Sequence, residues 1–76
     1  MKTVTLSGIA KTAECMGITL SLIKEGLMCD LSHDGNTISS LIPWLVLDTS
    51  SDPHGRCAII FGNMFNAMKV AQGVDE

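Results

Sequence analysis

Along "ITLSLIK", Ile18, Leu20 and Leu22 alternate with Thr19 and Ser21. That period of two predicts a strand with one buried face. Asp34-Gly35 is a two-residue hairpin signal, because Gly accepts positive φ and Asp tolerates it. The hairpin register pairs His33 with Asn36, Leu31 with Ile38, Cys29 with Ser40 and Leu27 with Ile42. A second two-residue turn at Glu25-Gly26 pairs Lys24 with Leu27, Leu22 with Cys29 and Leu20 with Leu31. One sheet face then collects Ile18, Leu20, Leu22, Leu27, Cys29, Leu31, Ile38 and Ile42, with Ser40 the exception. The other collects Thr19, Ser21, Asp30, Ser32, Thr37 and Ser39, with Ile23, Met28 and Leu41 as apolar exceptions.

The flanks read as helices and further strands. Ser7 suits a helix cap, with Ile9, Ala10, Ala13 and Met16 on one side and Gly17 at the left-handed C′ position. Pro43 lacks an amide donor and suits an edge or bend. "WLVLD" and "CAIIF" read as apolar strands, joined by the polar loop "TSSDPHGR". Asn63 suits the cap of a final helix, "MFNAMKVAQ", with Met64, Ala67, Met68 and Ala71 facing inward. Gly73 stops it, and "VDE" reads as a frayed tail. The expected fold is α+β: a short N-terminal helix, an antiparallel meander of four to five strands, and a C-terminal helix packed on the sheet.

The segment "KTAECMGITLSLIKEGL" admits two helical alternatives. Aligned on its turn, it resembles the helix-turn-helix of Cro-type phage repressors. Ala13 takes the small contact position, Gly17 the turn, and Ile18 and Ile23 the core positions. The resemblance covers about 17 residues and implies a DNA-binding regulator. Its reading helix would present Thr19, Leu20, Ser21, Lys24 and Glu25, a poor set for base edges and phosphates. Alternatively, Ile9, Ala13, Met16, Leu20, Ile23 and Leu27 follow a coiled-coil spacing along one long helix. That helix carries Gly17 in its interior, at a cost of about 1 kcal/mol.

At 76 residues the chain has room for one domain, residues 1–76. The net charge is −3, and Lys2, Lys11, Lys24, Arg56 and Lys69 are dispersed. Nucleic-acid binders concentrate basic residues to neutralise phosphates, so direct nucleic-acid binding is not expected. Cys15, Cys29 and Cys57 form an odd count without a framework, which favours a reducing compartment. The N-terminal "MKTVTLSGIA" lacks a signal-peptide pattern, and "LIPWLVL" is too short to span a bilayer. The expectation is a cytoplasmic protein without a membrane span.

Candidate chemistry is sparse. Cys29-x3-His33 and His54-x2-Cys57 offer four zinc-type ligands. On a strand, however, Cys29 and His33 stand about 13 Å apart. "SDPHGRC" gathers Asp52, His54, Arg56 and Cys57, the ingredients of an activated thiolate, but Cys57 opens an apolar run that predicts burial. No phosphate loop is present. The expectation is a non-enzymatic protein without metal or cofactor that binds a protein partner. The candidate partner-binding residues are Trp44, Ile23, Met28, Asp30 and Leu41, with Trp44 the anchor type enriched at interfaces.

Compact acidic chains of this kind are common among phage and mobile-element accessory proteins. The narrower expectation is therefore an inhibitor of host machinery, of anti-CRISPR or anti-restriction type, acting by steric occlusion. The alternatives are the helix-turn-helix regulator and a small structural subunit that homodimerises through strands at 44–47 and 57–61.

Overall fold

A computed structural model describes residues 3–73 of the chain. The order is α1 (Thr3–Cys15), β1 (Ile18–Leu22), β2 (Gly26–His33), β3 (Asn36–Pro43), α2 (Trp44–Thr49) and α3 (Pro53–Ala71). The strands form an antiparallel meander in the order β1-β2-β3. The protein is α+β, with helices before and after the sheet.

The β2–β3 register is the expected one: His33↔Asn36, Leu31↔Ile38, Cys29↔Ser40 and Leu27↔Ile42. Its turn has φ 50° at Asp34 and 81° at Gly35, the geometry the Asp-Gly pair favours. The β1–β2 pairing differs from expectation, with Leu22↔Leu27, Leu20↔Cys29 and Ile18↔Leu31. Here Lys24 and Glu25 make the turn, flanked by Ile23 and Gly26. The Ile23 amide donates to Gly26 O at 2.9 Å, and the Gly26 amide donates to Ile23 O at 3.3 Å. Moving the turn back one residue slides β1 by two along β2. A slip of two preserves every side chain's face, so the predicted apolar face survives the error in register.

Gly17 ends α1 with φ 72°, and the chain enters β1 directly. The segment after Gly17, helical in both the helix-turn-helix and the single-long-helix readings, is therefore a strand. Helix α1 begins at Thr3, upstream of the expected Ser7 cap, and Ser7 is exposed within it. The added turn lets Leu6 pack against the core beside Ile9 and Ala13.

The four-to-five-strand meander is corrected to three strands, because both later apolar runs are helical. "WLVLD" lies in α2, where one-sided burial of Leu47 replaces strand alternation. "CAIIF" lies inside α3. A strand there would bury Cys57, Ile59 and Phe61 together, yet Ile59 is 67% exposed while Cys57 and Phe61 are fully buried. Cys57, Phe61, Met64 and Met68 fall at helical spacing on one buried face. The helix starts within the supposed loop: Pro53 occupies the first turn, and Asp52 Oδ1 accepts the Gly55 amide at 3.1 Å. Asn63 is consequently mid-helix and exposed; Ala67 and the terminal Ala71 are exposed as well, while Met64 and Met68 face inward as expected. Gly73, with φ 74°, follows the helix as its stop. The expected tail at 74–76 lies outside the described residues.

All three helices contribute to one core. Ile9 and Ala13 of α1, Leu47 of α2, and the buried α3 stripe meet Ile18, Leu27, Cys29, Leu31 and Ile42 of the sheet. The helices therefore cover one sheet face and leave the other bare. Two polar ties brace this layer. The Thr12 hydroxyl donates to Gly8 O at 3.1 Å and lies 2.8 Å from His54 Nε2, joining α1 to α3. At the other end, Gln72 Nε2 donates to His33 O at 3.1 Å and fastens the β2–β3 turn to α3. Among the described residues, no helix is long and apolar enough to cross a membrane.

Candidate functional site

The bare face of the sheet is built by alternation. The observed registers place Ser21, Met28 and Leu41 in one row across the strands, and Thr19, Asp30 and Ser39 in the next. Ser32 and Thr37 form a third, and Ile23, Gly26 and Pro43 close the opposite end. The face is thus divided lengthwise. Ile23, Met28, Leu41 and Pro43 make one end apolar, and hydroxyls and one carboxylate make the other polar.

The polar half is internally paired. Ser39 Oγ donates to Asp30 Oδ1, and the Ser32 and Thr37 hydroxyls lie 2.9 Å apart. Cross-strand bonds of this kind hold side chains in fixed positions and lower the entropy a partner must remove. Asp30 remains half-exposed, its second oxygen available to a donor from outside.

Trp44 sits where the apolar end meets α2. Its backbone amide donates to Glu25 O at 3.2 Å, and its indole Nε1 donates to Ile23 O at 2.9 Å. The ring is half-buried, packed against the core on one side. Its neighbour Leu45 is 73% exposed, and Leu41 and Ile23 are 40% and 37% exposed. The structure therefore brings Ile23, Met28, Asp30 and Leu41 onto one face, with Trp44 at its end. Sequence reasoning missed Pro43 and Leu45. The parity of Pro43 with Leu41 marks it as outward, but Leu45 could not be placed while "WLVLD" was read as a strand.

The other candidate chemistry is dispersed. Cys29 and Cys57 are fully buried in the core, His33 is tied to Gln72 at the hairpin tip, and His54 faces Thr12. Asp52 caps α3 instead of facing a thiol. Among the described residues, no three His, Cys, Asp or Glu side chains come together as a metal site.

Burial pushes the Cys29 thiol up to about 11, with nearby Cys57 and Asp30 adding to the effect. Burial pushes the Cys57 thiol up as well. These are inert core thiols, because the thiolate is the reactive form. A thiol reagent is expected to label Cys15 rapidly in the folded chain, and Cys29 and Cys57 only on unfolding. The pH dependence has a definite sign. Above the ordinary thiol value of 9.0 the unfolded chain loses protons that the folded chain retains. Urea midpoints should hold below about pH 9 and fall as pH rises from there toward about 11.

No protein-family model matches the chain, and no curated protein or solved structure is similar to it. The class defined by the architecture is a small α+β domain with helices on one side of a three-stranded antiparallel meander and a bare opposite face.

Proposed function

We propose that this chain is a non-enzymatic protein-binding module that engages its partner through the bare sheet face. The observation that carries this reading is the convergence of Ile23, Met28 and Leu41, with Pro43, at one end of that face, beside Trp44 and Leu45. An apolar patch beside an aromatic side chain and a hydrogen-bonded polar flank is the kind of surface protein interfaces use. Asp30 and the net charge of −3 suit a partner surface carrying Lys or Arg.

The narrower form of the proposal is an inhibitor of phage or mobile-element type, directed at CRISPR or restriction machinery. Such a chain would act by steric occlusion, covering a basic nucleic-acid site on its target. The small size and acidic balance support this form. It requires no metal, cofactor or nucleic acid bound by the chain itself.

The test is affinity capture from host lysate with wild type and Leu41→Asp in parallel. Leu41 is partly exposed, so the variant should keep its circular dichroism and melting temperature. Burying a carboxylate in an apolar contact should weaken capture roughly tenfold or more. A partner retained equally by both proteins would remove the bare face as the binding surface. Assay of the captured nuclease with added chain would then decide the inhibitor form, since undiminished cleavage excludes it.

A further inference from the structure

The outer edge of β1 has a different character from the bare face. Ile23 and Gly26 exchange both backbone hydrogen bonds at the turn. In an antiparallel ladder bonded pairs alternate with unbonded ones. Thr19 and Ser21 therefore spend their peptide groups on β2, and Ile18, Leu20 and Leu22 turn theirs to the sheet's outer edge. Among the described residues, no backbone group of another element bonds to these three.

Edge strands are usually guarded by a charge, a proline or a bulge. The β1 sequence "ITLSL" has no charge or proline, and all five residues pair in continuous register with β2. Leu22 is 62% exposed at its end. The opposite edge, β3, ends in Pro43, which has no amide to offer.

A groove of about 620 Å³ runs beside the β1 edge, between it and the outer flank of α1. Ser7, Ala10, Lys11 and Glu14 line its helical side, and Ile18 and Leu20 its strand side. The other flank of α1 is committed to α3 through Thr12 and His54. The groove thus carries one cation and one anion a helical turn apart, above an unpaired strand.

We infer that this edge is a homodimer interface, with β1 pairing antiparallel to β1 of a second copy about a two-fold axis at Leu20. Leu20 bonds to Leu20 of the second copy, and Ile18 and Leu22 bond to Leu22 and Ile18. The axis is perpendicular to the sheet, so both helical layers lie on the same side and the two α1 helices run antiparallel. Lys11 of each chain then faces Glu14 of the other, a self-complementary arrangement that an isologous interface requires. A standard interface covers roughly 800 Å² per partner, about one sixth of the 4936 Å² surface. A five-residue edge supplies only part of that, and the groove walls supply the rest. The bare face remains free in the dimer, so this inference stands or falls independently of the proposed function.

Sedimentation equilibrium of the full chain up to millimolar concentration tests it, together with amide hydrogen exchange. A dimer is expected, with the amides of Ile18, Leu20 and Leu22 gaining protection as concentration rises. Leu22→Lys places a gatekeeping charge at the edge and should raise the dissociation constant roughly tenfold or more. Lys11→Glu should weaken the dimer in the same sense, and Lys11→Glu combined with Glu14→Lys should restore it. All three variants alter exposed residues, and circular dichroism verifies their folding. The wild-type measurements decide independently of the variants. A chain that stays monomeric, shows no concentration-dependent protection at these amides, or forms a dimer unchanged by Leu22→Lys or by the charge reversal overturns the inference.

Discussion

Replacing Phe61 with alanine is expected to remove a large share of the chain's stability. Phe61 is fully buried at the middle of the α3 stripe, in the core cluster shared by helices and sheet. Truncating a buried phenylalanine costs about 3–5 kcal/mol, because transfer energy is lost and a cavity remains. A domain of this length holds only about 4–11 kcal/mol in total. The ring is also one of only three aromatic side chains, the others being Trp44 and Phe65. The remaining core is aliphatic, with Met64 and Met68 able to shift but unable to fill a phenyl-sized void. Phe61→Leu should retain most of the stability. Urea unfolding followed by circular dichroism checks the pair, and a cooperative alanine variant within about 1 kcal/mol of wild type would show that α3 does not anchor the core.

Replacing Gly26 with alanine should cost about 3 kcal/mol, for a different reason. The Gly26 backbone is not in the left-handed region, so its conformation alone would admit alanine. Space forbids it: a Cβ there would strike the carbonyl of Ile42 and the Cα of Pro43, both backbone. The strands would have to separate where Leu27 pairs with Ile42. Overpacking that displaces backbone costs about 1–3 kcal/mol or more. Gly17→Ala makes the matched control. It meets open space but has φ 72°, so its cost should be nearer 1 kcal/mol. If both melted alike, the close strand contact at Gly26 would be refuted. The Gly26 change should also loosen Trp44, whose amide and indole bond to Glu25 and Ile23 around the same turn.

Gly26 also explains what the sequence concealed. A glycine after Lys-Glu invites assignment to a turn, since turns are the commonest reason for glycine. Here it serves close strand approach, and neither Lys24 nor Glu25 has positive φ. The turn consequently lies one residue earlier than expected. The Asp34-Gly35 turn was legible because positive φ and residue type coincide there. The apolar face, and with it the residues of the bare face, was legible because strand alternation survives a two-residue slip.

The later helices were hidden by composition. "CAIIF" is apolar throughout, with β-branched Ile59 and Ile60, and a five-residue window cannot separate strand from buried helix. The deciding signals were longer in range. The buried positions 57, 61, 64 and 68 cross the boundary drawn between a strand and a helix. Asp52-Pro53 is a helix start, but amid "TSSDPHGR" it resembles a loop. Leu22 and Leu45 became surface residues only once the element ends were fixed.

The bond from Trp44 Nε1 to Ile23 O has a practical consequence. The chain has a single tryptophan and no tyrosine, so its near-ultraviolet fluorescence comes almost entirely from one indole at the margin of the proposed surface. A ring half in the core and half at that margin responds both to loss of packing and to exclusion of water by a docked protein. The two responses displace the emission maximum in opposite directions, red on exposure and blue on coverage. The molecule therefore carries its own optical probe, and neither folding nor partner binding requires an attached label.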